Sequence, residues 1–176
     1  RGTGFKSQLS THAYEQARTV VMDFVGANAK DHTCIFGKNT TEAVNKLARR
    51  LPVDGKRNLV LTTGMEHHSN DLPWRARGDV IYVRLTPDGR LDENDFDTQL
   101  AKYSDQLELV TITGASNVTG YLNPIHQLAE KVHAVGAMIM VDCAQLAPHR
   151  KIDLLPLDDR AHLDFISISA HKMYAP

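Results

Sequence analysis

The sequence AMIMVD, residues 137–142, is an unbroken apolar run that ends in a carboxylate. A run this short and this apolar is typical of a β-strand that is buried on both faces, as strands in parallel sheets are. Residues 58–62, 107–113 and 164–169 form similar runs of apolar and small side chains, and residues 79–85 alternate. We therefore predict a strand at each of these places, and a further short strand at residues 33–36.

Helical patterns separate these predicted strands. Ser10 or Thr11 can cap a first helix. The apolar residues on its predicted inner face recur at helical spacing: Ala13, Ala17, Val20, Val21 and Phe24. Further helices are predicted at residues 42–51, within 66–74, at 92–102 and at 124–133. Strands that alternate with helices predict an α/β fold, a three-layer αβα domain with a mainly parallel sheet.

Length and charge exclude several classes of protein. The 176 residues suffice for one domain with a sizeable core. A formal net charge of −1 lacks the excess of positive charge that binding to nucleic acid or to an anionic membrane requires, so neither is an expected partner. No stretch approaches the roughly 20 apolar residues of a membrane span. The first ten residues lack the apolar core of a signal peptide, and without a starting Met they suggest a trimmed end.

The cysteines and histidines do not suggest a disulfide framework or a metal site. Cys34 and Cys143 are too few for a disulfide framework and lie in apolar, strand-like runs. We therefore expect buried free thiols in a reducing compartment, the cytoplasm. Apart from the adjacent His67 and His68, the nine histidines are scattered without the spacings of common metal ligands. No metal site is predicted.

Polar and ionisable residues follow several of the predicted strands. Reactive groups of open α/β sheets collect at the carboxyl ends of the strands, which share one edge. This rule gathers a set of candidate residues at that edge: Thr40, Thr41, Glu66, His67, Asn117, Asp142, Gln145, His171 and Lys172.

Each of these candidates has an ordinary explanation when it is taken alone. Lys172 can be a solvated lysine, although burial can lower the pKa of a lysine and make it a nucleophile. Asp142 can cap the turn after its strand, or it can face a cationic ring nitrogen. Thr40 and Thr41 can serve a simple N-cap, or they can bind phosphate at a helix N-terminus. His67 can be a solvated loop residue or a flat ring that contacts a ligand.

Taken together, the candidates point to one ligand. A phosphate site, a buried carboxylate, a flat ring and a lysine after a strand are what pyridoxal phosphate requires, since it needs a Schiff-base lysine, a carboxylate at its pyridine nitrogen and a phosphate cradle. Gln145, three residues after Asp142, can hydrogen-bond the same ligand, and Ser169 can add a phosphate donor. The sequence therefore predicts a pyridoxal phosphate site.

Four segments, in this order, carry a resemblance to a known family: MEHHSNDLPW (65–74), ASNVTGYLNPI (115–125), VDCAQLAPHRKIDL (141–154) and DFISISAHKMYAP (164–176). They resemble the class V aminotransferase family of fold-type I pyridoxal phosphate enzymes, and within it the cysteine desulfurases most closely. The similarity extends from about the first predicted helix to the last residue.

The resemblance implies a role for each candidate around the cofactor ring. Lys172 matches the lysine that holds pyridoxal 5'-phosphate as a covalent aldimine. Asp142 matches the carboxylate that keeps the pyridine nitrogen protonated, and Gln145 matches the residue that hydrogen-bonds the ring hydroxyl oxygen. His67 matches the histidine that stacks on the ring face and assists proton transfer. Lys172 and His67 are thus the implied catalytic residues.

The resemblance also implies how the remaining candidates bind. Thr41, with Thr40, matches the phosphate cradle, which Ser169 and His171 complete. Asn117 matches an asparagine near the cofactor and the substrate carboxylate.

Chains of this family continue beyond the region that the resemblance covers. The resemblance implies that residues 1–176 are a partial large, cofactor-binding domain, without the C-terminal part of that domain and without the small domain. Those parts supply an arginine for the substrate carboxylate and, in desulfurases, a mobile cysteine that accepts sulfur. Neither Cys34 nor Cys143 matches that cysteine. We therefore expect this chain to be incomplete for activity.

The implied reaction converts L-cysteine to L-alanine and leaves a persulfide on the enzyme. The implied partners are an amino-acid substrate, a second copy in a homodimer of the full-length protein, and a sulfur-acceptor protein. The same scaffold also suits a lyase, an epimerase, a kynureninase-like hydrolase or a true aminotransferase, because a fold does not fix a reaction. The sequence is compatible, too, with a non-catalytic remnant that keeps the fold and with an α/β domain that binds no cofactor.

Overall fold

The computed structural model describes residues 4–52 and 55–173. The parts of the predicted domain and of the fourth motif that fall on residues 1–3, 53–54 and 174–176 lie outside the described residues. Within the described ranges, no helix is both long enough and apolar enough to cross a membrane.

The described strands form one sheet. They are β1 (Leu59–Thr63), β2 (Val80–Val83), β3 (Leu107–Thr113), β4 (Met138–Asp142) and β5 (Phe165–Ser167). Their order across the sheet is β2-β1-β3-β4-β5, and each neighbouring pair runs parallel. The predicted parallel sheet is confirmed, and β3 and β4 lie in its interior, where both faces are buried.

Two of the described helices precede β1, and three more lie between successive strands up to β4. They are α1 (Phe5–Phe24), α2 (Thr40–Arg50), α3 (Leu72–Arg75), α4 (Glu93–Lys102) and α5 (Ile125–Ala134). Two short 3₁₀ turns, His68–Asn70 and Ala170–Lys172, follow β1 and β5. Gly136 has a φ of 72° just after α5, in the left-handed region that glycine adopts at little cost, and so lets the chain turn into β4.

Two apolar clusters cover the two faces of the sheet. On one face, α2 and α3 pack through side chains that include Val44, Ala48 and Trp74 against Val60, Leu109 and Met140. On the other face, α4 and α5 pack through side chains that include Phe96, Leu100, Leu128 and Val132 against Leu61, Val110, Ile112 and Ile139. Neighbouring residues such as Leu109 and Val110 thus enter opposite clusters, as the two-residue period of a strand requires. This arrangement is the predicted three-layer αβα fold.

The predicted start and inner face of the first helix are wrong. The helix begins at Phe5, with Gly4 as its N-cap, and the Ser10 hydroxyl donates to the Lys6 carbonyl inside the helix. No residue of α1 is buried, and Val20 is 66% exposed. Helical spacing identifies an apolar stripe, but it does not identify what covers that stripe, and here the sheet faces are covered by other helices.

The predicted strand at residues 33–36 is also wrong. This segment has no regular secondary structure, and Ile35 is 72% exposed. Its described contacts are with α1: Arg18 donates to the Cys34 carbonyl at 2.8 Å, and the rings of Tyr14 and Phe36 meet edge to face. Among the described residues, the segment has no neighbouring strand to pair with. Cys34 is therefore only partly buried, whereas Cys143 is buried as predicted, and both are free thiols.

Candidate active site

A cavity of about 290 Å³ lies where the carboxyl ends of β3, β4 and β5 meet the loop after β1 and the N-terminus of α2. All nine residues that the sequence analysis assigned to the cofactor site line it: Thr40, Thr41, His67, Asn117, Asp142, Gln145, Ser169, His171 and Lys172. They come from five separate segments of the chain, so only the parallel sheet brings them together.

The N-terminus of α2 opens into this cavity. Its N-cap is Asn39, whose side chain accepts from the Glu42 N–H at 2.9 Å, while the Glu42 carboxylate accepts from the Lys38 N–H at 2.5 Å. Thr40 and Thr41 are therefore the first two helical residues and not the cap. The first N–H groups of a helix have no acceptor within the helix, so they favour an anion at this end of the cavity.

Hydroxyl groups from three segments converge beside this helix end. The Thr40 and Ser169 hydroxyls are 2.7 Å apart and buried, which joins α2 to the residues after β5. The Thr41 and Ser69 hydroxyls are 2.8 Å apart, which joins α2 to the loop after β1. Hydroxyls and free N–H groups around a helix N-terminus are the donors that a phosphate group requires.

The Asp142 carboxylate lies in the cavity wall at the end of β4 and is only 4% exposed. Among the described residues, its hydrogen bonds come from the Ala144 N–H at 2.9 Å and the Ser167 hydroxyl at 3.4 Å, and both end on Oδ1. Burial raises the pKa of Asp142, while the Ala144 N–H and the charges of Lys172 and His67 oppose this rise. A buried carboxylate with spare acceptor capacity is suited to a cationic donor in the cavity.

Lys172 reaches the cavity from the 3₁₀ turn after β5. Strand β5 ends at Ser167, two residues earlier than predicted, because Ser167 pairs with Asp142, where β4 itself ends. The Lys172 N–H donates to the Ser169 carbonyl at 3.0 Å, so the turn folds back on its own start. Both Lys172 and His171 are exposed and line the cavity wall.

The His67 ring is oriented by Ser69. The Ser69 N–H donates to Nδ1 of His67 at 3.1 Å, and the Ser69 hydroxyl lies 2.9 Å from the same nitrogen. Because Nδ1 accepts, the neutral ring carries its proton on Nε2. The exposed ring therefore offers an N–H donor.

Two amide side chains complete the wall. Asn117 is exposed on the loop after β3, and Gln145 is partly buried in the turn after β4. An amide group both donates and accepts hydrogen bonds, so each of these two residues can bind a hydrogen-bond donor or an acceptor on a ligand.

A second carboxylate, Glu66, supports the site from behind. Its Oε1 accepts from the Thr63 hydroxyl at 2.6 Å and the Thr113 N–H at 2.9 Å, and its Oε2 accepts from the Asn70 side chain at 2.7 Å. Burial raises the pKa of Glu66 from 4.5 to about 7; the three hydrogen bonds oppose this rise and the charge of Asp142 adds to it. Glu66 thereby ties the loop after β1 to β3.

The sequence alone suggests no role for three residues of the site: Glu66, Ser69 and Asn39. It placed Glu66 at the right edge of the sheet, but a carboxylate beside two histidines gives no sign of burial. Ser69 could have been found from its position two residues after His67, where side chain and backbone commonly bond. Asn39 could have been found from its spacing to Glu42, which is that of a capping box.

A larger groove of about 580 Å³ runs between α2 and α3 and shares Thr41 and Ser69 with the cavity. Its wall carries Arg49, Arg77 and His68 but no carboxylate and no lysine among the described residues. The smaller cavity, which has both, is therefore the candidate active site.

Comparison with known sequences relates the chain to one protein family. A family model described as aminotransferase class-V matches residues 1–176. Cysteine desulfurases of Haloferax volcanii and Dickeya dadantii are 36% and 37% identical to the chain over 183 and 185 residues. Each alignment covers 100% of this chain but only 41% and 42% of the relative. The chain thus spans about two fifths of the length of these relatives.

Solved structures agree with the sequence relatives. The apo structure of a cysteine desulfurase from Thermococcus onnurineus NA1 matches 98% of this chain and 42% of its own, with a TM-score of 0.84 and 32% identity. The cysteine desulfurase CsdA from Escherichia coli, in an S-sulfonic acid form, matches 100% of this chain and 44% of its own, with a TM-score of 0.77 and 26% identity. The predicted fold class and the predicted family resemblance are both confirmed.

The raised pKa of Glu66 predicts a pH-dependent stability. Between pH 4.5 and about 7, the folded protein retains a proton on Glu66 that the unfolded chain has released, so the free energy of unfolding falls as pH rises. We expect Glu66→Gln, which cannot ionise, to gain up to ~3 kcal/mol relative to the native chain across that window. Urea unfolding at several pH values measures this difference.

Glu130→Gln is the matched control, because Glu130 is an exposed carboxylate on α5. Its difference in unfolding free energy from the native chain should change little over the same pH range. A Glu66→Gln difference that is equally constant would contradict the assignment of a partly buried, proton-holding carboxyl group.

Proposed function

The chain belongs to the class-V aminotransferase family, whose cofactor is pyridoxal 5'-phosphate, and we propose that it forms part of a cysteine desulfurase. The proposed reaction converts L-cysteine to L-alanine and leaves the sulfur as a persulfide on the enzyme. The observation that carries the proposal is the cavity that gathers all nine residues expected around the cofactor.

The donors and acceptors of the cavity fit this cofactor. Its phosphate group needs hydrogen-bond donors, which the N-terminus of α2 and the surrounding hydroxyls offer. Its pyridine nitrogen needs a carboxylate, and Asp142 is buried with spare acceptor capacity. Its aldehyde carbon needs an amine, and Lys172 lies in the same wall. Each part of the cofactor thus has a complementary group in the cavity.

We propose that Thr40, Thr41, Ser169 and His171 hold the phosphate group. The hydroxyl contact between Thr40 and Ser169 joins the two sides of this cradle.

We propose that Asp142 keeps the ring nitrogen protonated and that Gln145 hydrogen-bonds the ring hydroxyl oxygen. When it is bound, the protonated ring supplies an electron sink that stabilises negative charge at the α carbon of the amino acid. The burial that raises the pKa of Asp142 is offset by a cation at this position, so the pairing stabilises both partners.

Lys172, His67 and Asn117 are proposed to act on the substrate side. Lys172 holds the cofactor covalently and, as a free amine, moves a proton at the α carbon of the amino acid. His67 contacts the ring face, and its Nε2 proton is available for transfer because Ser69 occupies Nδ1. Asn117 hydrogen-bonds the substrate carboxylate.

The two cysteines of this chain are poor sulfur acceptors. Burial, with a contribution from the charge of Asp142, strongly raises the pKa of Cys143, and the side chain is fully buried. Burial also raises the pKa of Cys34, against the opposing charge of Arg18. A thiolate is the nucleophile in persulfide formation. We therefore propose that the acceptor thiol belongs to a region of the full-length protein that this chain does not cover.

The chain is proposed to be part of the large domain of a homodimeric protein. The side chains of α1 support an interface, because apolar residues such as Phe5, Leu9 and Val20 are exposed along it. Two free thiols support a reducing, cytoplasmic location, where a separate acceptor protein would take the sulfur.

The proposed reaction predicts that the full-length protein, loaded with pyridoxal 5'-phosphate, releases sulfide from L-cysteine in the presence of a thiol reductant. Lys172→Ala should lower the rate by at least about 10³-fold, because the covalent and proton-transfer roles are lost together. Alanine and sulfide should form in equal amounts, which amino-acid analysis and a sulfide assay measure.

Lys151→Ala is the matched control, because Lys151 is an exposed lysine whose described ion pair, with Asp153, lies at the surface. It should keep the native rate. A native protein that binds the cofactor yet forms no alanine from L-cysteine would exclude the desulfurase and leave another reaction of the family.

The proposed interface predicts that the full-length protein is a dimer in solution. Light scattering should give twice the mass of one full-length polypeptide. Val20→Asp should shift the protein towards monomer, because it places a charge on the apolar face of α1. A native protein that is monomeric at micromolar concentration would contradict the proposal.

A further inference from the structure

Three ionisable side chains meet at the edge of the sheet opposite the cavity. His133 lies in the last turn of α5, while His162 and Asp164 lie in the segment just before β5. Nε2 of His133 is 2.9 Å from Oδ2 of Asp164, and Nε2 of His162 is 3.4 Å from Oδ1. The ligand atoms of all three residues lie within 4.8 Å of one another. We refer to these residues as the His–His–Asp cluster.

The backbone fixes which nitrogen of each ring faces the carboxylate. Nδ1 of His133 lies 2.7 Å from the Arg160 carbonyl oxygen, and Nδ1 of His162 lies 2.6 Å from the Asp159 carbonyl oxygen. A carbonyl oxygen only accepts, so both Nδ1 atoms carry the proton. In a neutral ring, Nε2 then presents a lone pair.

When both rings are neutral, the Nε2 lone pairs of His133 and His162 therefore face the Asp164 carboxylate. Asp164 is held in place by the Ile139 N–H, which donates to Oδ2 at 2.8 Å, so the carboxylate is positioned by the start of β4. In that neutral state, the two lone pairs and the anionic oxygen repel one another at these distances. A proton on Nε2 or a metal cation among the three ligand atoms removes the repulsion.

We propose that the His–His–Asp cluster binds a divalent transition-metal ion of the Zn²⁺ type. Two imidazole nitrogens and one carboxylate oxygen are a ligand set that Zn²⁺ accepts, with water in the fourth position. Bonds of about 2.1 Å in a tetrahedral site put neighbouring ligand atoms about 3.4 Å apart. The Nε2 atoms lie 2.9 Å from Oδ2 and 3.4 Å from Oδ1 of Asp164. One ligand atom from each residue lies within 4.8 Å of the other two, so modest side-chain shifts would bring the three to this spacing.

The surroundings of the cluster match those of metal-bound histidines. A ligating imidazole usually donates its other N–H to a backbone carbonyl or a carboxylate, and both rings here do so. The three side chains are 14–19% exposed, which leaves a path for an ion. The rings are stacked with centroids 4.1 Å apart and planes 15° apart, so a bound ion would have to draw their Nε2 atoms together.

Such a site would tie the end of α5 to the segment that leads into β5. This function is separate from the proposed chemistry, because the cavity lies at the carboxyl ends of β4 and β5 and the cluster at their amino ends. Sequence spacing predicted no metal site, since His133 and the pair His162 and Asp164 come from distant segments that only the fold brings together.

Calorimetric titration of the full chain with Zn²⁺ near neutral pH tests the proposal. We expect one ion per chain, and we expect His162→Ala and Asp164→Asn each to weaken binding by more than about tenfold. Asp164→Asn keeps a side-chain oxygen that can accept from Ile139, so it preserves the local fold. His12→Ala, which removes an exposed histidine of α1, is the matched control and should bind as the native chain does.

A spectroscopic measurement on the native chain avoids any dependence on folded variants. On addition of Zn²⁺, the ¹⁵N resonances of Nε2 in both His133 and His162 should shift while their Nδ1 atoms stay protonated. The proposal is overturned if these resonances do not move, if both variants bind like the native chain, or if both Nε2 atoms already carry protons near neutral pH.

Discussion

The buried carboxylate of Asp142 is the constraint on which the candidate site depends. It ends an interior strand whose neighbours β3 and β5 pair with it on both sides, so the chain cannot move it to solvent without breaking the sheet. Two donors satisfy part of its hydrogen-bonding capacity, and burial raises its pKa. A sheet that buries an anion at this position is stabilised by a cationic partner, and the cavity beside it provides the place for one.

The rest of the site is arranged around that carboxylate by the parallel sheet. Because the strands run in one direction, their carboxyl ends deliver separate loops to one edge. Helix α2 packs on the sheet through Val44 and Ala48, and this packing points its N-terminus at the cavity. The hydrogen bond between Thr40 and Ser169 then joins that helix end to the turn that carries Lys172. The packing of α2 and the pairing of β5 with β4 thus both position the turn that carries Lys172.

Patterns in the sequence predicted those parts of the fold that a strong local signal specifies. Apolar runs located β3 and β4, since an interior strand must be apolar on both faces. The same reasoning failed at residues 33–36, where Ile35 and Phe36 suggest a strand but no neighbouring strand exists among the described residues to pair with it. The prediction of an inner face for α1 failed as well, because helical periodicity locates an apolar stripe but does not show which surface, if any, packs against it. Residue type and position found the nine cavity residues, whereas Glu66 acts through a hydrogen bond to the distant Thr113 that only the folded chain forms.

The central claim is that these nine residues form a pyridoxal 5'-phosphate site in which Lys172 makes the covalent bond. An absorbance titration of the purified chain with the cofactor, alongside Lys172→Ala, tests it most directly. We expect a visible absorbance band of the cofactor bound to lysine in the native chain and its loss in the variant. The same band in both proteins would contradict the role of Lys172. Its absence from the native chain, and from the full-length protein treated in the same way, would contradict the site itself.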